Sequence, residues 1–253
     1  MFDKKALSKN ITTWNKENKF NSLLGFGMLI SANTTYYVSD NFGRRIYKFD
    51  DSWNYINYKS FSFKPAYMVI VKKIIYITGD DSIYKTDANL NVLKIYNSTI
   101  STLYRGVYYN SSISLLYVAA EGMSKNRIDV FDRNLTLKKT VQIKYRPFSI
   151  VGFNSILYIG TYEGMILVMV NRIIIKSFNG CHGNTRLVTS ILFDEYSRLT
   201  SSCFGISQAY LYSSNGNFLN RSLSTAIYPV MNAYDSKGRF VMLSKYQISV
   251  YPS

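Results

Sequence analysis

The chain has 253 residues, 47% hydrophobic and 16% aromatic, enough for a sizeable core, and its 23 tyrosines favour pleated strands over helices. A count of 30 Lys and Arg against 15 Asp and Glu gives a formal charge of +15. Such a field attracts anionic partners, although AT-rich codon usage raises Lys, Asn, Ile and Tyr together and produces the same balance. Two cysteines exclude a disulfide framework, and MFDKKALSKNITTW has no apolar leader, so the expected compartment is cytoplasmic with reduced thiols.

In chain order, the first strand-like piece is Asn10 to Asn15 (NITTWN), set apart from the repeating strands. Then an apolar couplet recurs: Tyr37-Val38, Tyr76-Ile77, Tyr117-Val118, Tyr158-Ile159, Leu199-Thr200 and Phe240-Val241, at intervals of 39 and then four times 41 residues. A period near forty built of short strands is the mark of a β-propeller blade. The second unit shows the pattern: Pro65 to Val71, a Lys72-Lys73 turn, Ile74 to Thr78, Gly79-Asp80-Asp81, Ile83 to Thr86, Asp87-Ala88-Asn89, and Val92 to Tyr96. Third strands recur as RIYKF from Arg45, RIDVF from Arg127, MILVM from Met165, QAYLY from Gln208 and QISVY from Gln247. Gly164 to Ile175 is the most apolar stretch, but it is too short to span a bilayer, so no membrane segment is expected. The last unit stops after its third strand. The expectation is therefore one all-β domain over 1–253, a six-bladed β-propeller closed by the N-terminal strand, which completes the last blade and covers open sheet edges. The couplet tyrosines Tyr37, Tyr76, Tyr117 and Tyr158 are predicted to be core.

Ile11-Thr12-Thr13-Trp14, Phe20-Asn21-Ser22, Tyr36-Tyr37-Val38-Ser39-Asp40 and Arg44-Arg45-Ile46-Tyr47-Lys48-Phe49-Asp50 together resemble an NHL repeat. Leu23 stands where that pattern has proline, and Ser39 where it has alanine. Leu116 to Asp132 fits the pattern, while Leu199 to Tyr212 has lost most of it. The resemblance implies the propeller part of a TRIM-NHL-like protein without RING, B-box or coiled coil, and a single-stranded RNA ligand.

Lys64, Arg105 and Arg146 occupy one repeat position just before the innermost strand of three successive blades, which places three cations around one mouth of the channel. Arg44, Arg127, Arg186 and Lys245 are expected on the same face, with aromatics Tyr67, Tyr145, Tyr162, Phe204, Tyr228 and Tyr246. Cations interleaved with exposed rings suit single-stranded RNA through phosphate pairing and base stacking. The competing arrangement packs the rings between blades and pairs the arginines locally.

Acids recur after the second strand at Asp40, Asp80, Asp81, Glu121 and Glu163. Local ion pairs with loop arginines, Asp40 with Arg44 or Arg45 and Glu121 with Arg127, account for them more simply than a calcium ring. His182 is the sole histidine, which excludes a multi-histidine zinc site and argues against a Ser/His/Asp triad. No catalytic residue, metal or cofactor is expected. The reading is a monomeric, non-catalytic binding module for single-stranded RNA. Its alternatives are a protein-docking scaffold and, more distantly, a sugar-lactonase-like metal-dependent hydrolase. Cys181 and Cys203 fall in one blade on one face, near enough in principle to bond.

Overall fold

The computed structural model describes residues 12–13, 29–32, 35–123, 125–182, 186–206, 208–223, 229–234, 237–244 and 248–251. Every element among them is a strand, and the strands form four-stranded antiparallel sheets. The first holds β2 (Leu29–Ala32), β3 (Thr35–Asp40), β4 (Arg45–Phe49) and β5 (Tyr55–Ser60). The second holds β6 (Met68–Val71), β7 (Ile74–Gly79), β8 (Ser82–Asp87) and β9 (Val92–Asn97). The third holds β10 (Thr102–Asn110), β11 (Leu115–Gly122), β12 (Asn126–Asp132) and β13 (Leu137–Ile143). The fourth holds β14 (Pro147–Phe153), β15 (Ile156–Thr161), β16 (Met165–Val170) and β17 (Ile173–Asn179). The fifth holds β18 (Val188–Phe193), β19 (Leu199–Cys203), β20 (Gln208–Tyr212) and β21 (Phe218–Leu223). A further sheet runs β22 (Pro229–Tyr234), β23 (Phe240–Ser244), β24 (Ile248–Tyr251) and then β1 (Thr12–Thr13), with Thr12 opposite Val250 and Thr13 opposite Ser249.

Each recurring couplet lies on the second strand of its sheet. The innermost strands touch in order, β2 to β6, β10, β14, β18 and β22, and β22 touches β2. Burial follows this arrangement: β7 and β15 are almost wholly buried, whereas the outermost β9 and β17 are mainly exposed. The architecture is a β-propeller. Most of the NHL-like segment before Thr35 lies outside the described residues.

Two details depart from the sequence expectation. The innermost strand of the second sheet begins at Met68 rather than Pro65, because the Thr78 hydroxyl accepts from the Tyr67 N–H (3.1 Å) and interrupts the ladder there. Ala66 N–H still donates to the Thr78 carbonyl (2.7 Å). Tyr117 is half-buried rather than core, while Tyr37, Tyr76 and Tyr158 are buried as predicted.

A candidate docking face

Arg105, Arg146 and Tyr162 come together on the strands and turns of the third and fourth sheets. Arg105 Nη2 donates to the Tyr162 hydroxyl (3.3 Å) and approaches Glu121 Oε2 (3.7 Å), and its guanidinium lies over the Phe148 ring at 5.4 Å. Arg146 Nε donates to Glu163 Oε1 (3.2 Å), with its guanidinium 4.5 Å from the Tyr162 centroid. Burial raises the Tyr162 hydroxyl above its ordinary pKa, and the Arg105 charge opposes that shift.

Glu121 and Glu163 are therefore partnered by the arginines that open the same sheet, not by loop arginines, whereas Asp40 lies opposite Arg45 as expected and accepts from the Gly43 N–H (2.8 Å). Glu121 meets Arg105, Glu163 meets Arg146, and Asp80 Oδ2 accepts from the Lys64 N–H (3.2 Å). The signal was in the sequence: cation and acid recur 16 or 17 residues apart. The reason is the ladder, which brings the two ends of the first hairpin together.

The other expected face residues divide. Tyr67 is buried at 2% exposure, and its hydroxyl donates 2.5 Å to the Thr189 carbonyl, crossing from the second sheet to the fifth. Phe148 packs edge-on against it at 5.7 Å, so this ring is packed among the innermost strands instead of lining an open surface. Arg127 is likewise buried: its Nε donates to both Asp129 oxygens at 3.0 Å, and Nη2 donates to Thr102 Oγ1 at 2.9 Å. Arg127 lies on a strand interior, which turns it inward to Asp129 and away from Glu121.

Tyr145 is half-buried in an inter-sheet cluster. Arg44 is exposed, with Nη1 on the Ser62 carbonyl (3.0 Å), and Lys64 is half-exposed. Arg186 is exposed, and Phe204 beside it is 44% exposed; the Phe204 N–H donates to the Leu187 carbonyl (2.9 Å), as Tyr162 N–H does to Arg146 (3.0 Å). Tyr228, Lys245 and Tyr246 lie outside the described residues. The face is mixed in sign, with cations, carboxylates and two partly exposed rings.

Cys181 and Cys203 are joined by a disulfide with Cα atoms 5.9 Å apart, correcting the expectation of reduced thiols. Both are fully buried; Ser201 on the same strand also donates to the Gly180 carbonyl (2.5 Å), so the loop carrying Cys181 is held against β19. His182 is exposed and stacks on Phe218 at 3.7 Å. Among the described residues no cluster of three or more His, Cys, Asp or Glu could hold a metal, and no helix is long and apolar enough to cross a membrane.

No family model matches the chain, and no curated protein does. Solved structures do, at the level of fold. The Pan2 WD40 domain of Neurospora crassa superposes with a TM-score of 0.71 at 8% identity, covering 95% of this chain and 94% of that one. A calcium-binding regucalcin from Agrobacterium tumefaciens gives 0.69 at 11% identity, covering 89% and 88%. A chain of the Mitotic Checkpoint Complex gives 0.67 at 10% identity, covering 95% and 91%. At such low identities the likeness identifies the propeller fold alone.

Proposed function

We propose that the chain is a non-catalytic, monomeric propeller that docks a protein partner on the face around Arg105, Arg146, Tyr162, Arg186 and Phe204. The observation that carries this reading is the pairing of opening cations with acids of the same sheet. Glu121 and Glu163 sit among the arginines, so a polyanion meets carboxylates wherever it meets Arg105 or Arg146. A protein surface of mixed charge complements such a face, while Phe204 and Tyr162 supply partly exposed rings of the kind that anchor interfaces. Propellers like those of Pan2 and the Mitotic Checkpoint Complex support a scaffold role by analogy of fold. We further propose an NHL-like ring of six blades with β1 completing the last; the pairing of Thr12 with Val250 and the contact of β22 with β2 support it.

The test places a photo-crosslinking residue at Arg186 and, as control, at Asn89 on an outer turn. A discrete protein adduct is expected from position 186 alone, unchanged by nuclease. Adducts that vanish with nuclease, or equal labelling at 89, overturn the assignment. Isolated chain that binds single-stranded RNA with a steep salt dependence returns the ligand to nucleic acid.

A further inference from the structure

We propose that Asn134 is an acceptor for an N-linked oligosaccharide, and that the chain accordingly matures in an oxidising, secretory compartment rather than the cytoplasm first expected. Two independent observations carry this. The first is the Cys181–Cys203 bond: a buried, non-catalytic disulfide belongs to chains folded away from cytosolic reductants. The second is the placement of the Asn134-Leu135-Thr136 sequon on the turn between β12 and β13.

That turn presents the acceptor outward. Asp132 Oδ1 accepts from the N–H groups of Asn134 (2.8 Å) and Thr136 (2.9 Å), while Leu135 plugs the core at 2% exposure. Asn134 and Thr136 are exposed as a result. The Asn134 carboxamide accepts from Lys85 Nζ at 3.4 Å through Oδ1, leaving Nδ2 without a partner among the described residues. Of the other described sequons, Asn110 is half-buried, and Asn97 and Asn220, although exposed, lie on the strands β9 and β21 rather than on a turn.

In the transfer, Asn134 Nδ2 bonds to the anomeric carbon of an oligosaccharide carried on a polyprenyl pyrophosphate. The anomeric C–O bond breaks, the pyrophosphate leaves with the electron pair, and the Nδ2 proton passes to solvent.

The fold contains its own control. In the second sheet the same turn reads Asp87-Ala88-Asn89-Leu90-Asn91, with Asn89 exposed and the same hydrogen bonds to Asp87, but position 91 is Asn where a sequon needs Ser or Thr. Asn91→Thr therefore gives this turn the hydroxyl that Thr136 already carries in the third sheet.

The experiment maps peptides of the full chain recovered from the cells that produce it, with glycans released by peptide N-glycanase in oxygen-18 water. Labelled aspartate at position 134, with the Cys181 and Cys203 peptides linked before reduction, is the expected result. An unmodified Asn134 peptide, or free thiols at both cysteines, overturns the proposal. Microsome-coupled translation behind a cleavable leader separates sequon chemistry from folding: Thr136→Ala removes one glycan while keeping Asn134, and Asn91→Thr adds one. Glycosylation that is indifferent to Thr136→Ala overturns the assignment to Asn134.

Discussion

Leu90 and Leu135 hold left-handed backbones, φ 64° and 55°, while their side chains are almost fully buried, at 0% and 2% exposure. Trp53 does the same at φ 66° and 3%. Each is three residues after an aspartate, Asp50, Asp87 or Asp132, whose carboxylate accepts backbone N–H groups two and four residues on. A left-handed leucine costs about 1–2 kcal/mol, whereas removing a buried leucine side chain costs about 2–5 kcal/mol, so burial wins. Leu135→Gly should therefore lower stability by about 2 kcal/mol even though glycine suits the backbone, as denaturant unfolding would show; a neutral or stabilising change would put the strain ahead of the packing. Burial alone would raise the Asp132 carboxyl, but the Thr136 N–H, Lys138 and the Asn134 N–H outweigh it and hold the group at about 2. A depressed folded pKa makes the stabilisation complete above the ordinary carboxylate range, about pH 4, and lost as pH falls towards 2. Asp132→Asn should remove about 1 kcal/mol at pH 7, after allowing for solvent screening, and almost nothing at pH 2. The wording of these turns, Asp-x-Ser at Asp50 and Asp-x-Asn at Asp87 and Asp132, was legible in the sequence. The buried left-handed residue was not, because an apolar residue after a turn reads equally well as the start of the next strand.

Among the strands, three couplet tyrosines act alike. Tyr37 donates to the Ala88 carbonyl (2.8 Å), Tyr76 to Arg133 (2.7 Å) and Tyr158 to Ser214 (3.0 Å), in each case reaching the turn between third and fourth strands of the next sheet. The repeat thus joins neighbours with a ring packed between sheets and a hydroxyl on a backbone carbonyl. Tyr117 has no such turn ahead of it: the fourth sheet turns on the two residues Asn171-Arg172, both at positive φ (48° and 71°), as a tight hairpin requires. That shorter turn explains why Tyr117 stays half-buried. The period placed the couplet on the second strand correctly, but the partner of each hydroxyl depends on the length of the following sheet's turn, which the couplet does not encode. Tyr76→Phe should cost about 1 kcal/mol by leaving a carbonyl without its donor, and Tyr117→Phe close to nothing. Equal losses in the two variants would show that the hydroxyl contact contributes nothing. Small side chains make the other junctions. Ser39 Oγ donates to the Ala66 carbonyl (2.5 Å) and Thr78 Oγ1 to Arg105 (2.6 Å), two residues after the couplet tyrosine in each case. At Gly160, the corresponding position of the fourth sheet, a Cβ would collide with Ser149 Oγ; that hydroxyl bonds the Val188 carbonyl (3.1 Å) and joins the same two sheets.

For the whole molecule, the connections differ in reach. The Cys181–Cys203 bond lies within the fifth sheet and its lead-in, closing a separation of 22 residues. A loop of that size contributes about 3 kcal/mol in the chain-entropy picture, so reduction should lower the melting temperature without opening the ring. Tyr67, by contrast, ties the second sheet to the fifth, and burial raises its hydroxyl well above the ordinary tyrosine range. Closure makes the sharpest test. Without β1, β24 becomes an outermost strand, yet Ile248 and Val250 are buried at 3% and 4%, unlike residues of β9 or β17. Deleting residues 1–14 should therefore expose an apolar strand with unpaired N–H and C=O groups. The contact of β22 with β2 does not depend on β1, so the truncated chain should keep its β-sheet circular dichroism at low temperature. It should then melt earlier and aggregate on heating in a concentration-dependent way, which light scattering would follow. A truncated chain that melts with the full one would mean that the Thr12–Thr13 pairing adds nothing to closure, and that the ring is held by the contacts of its innermost strands alone.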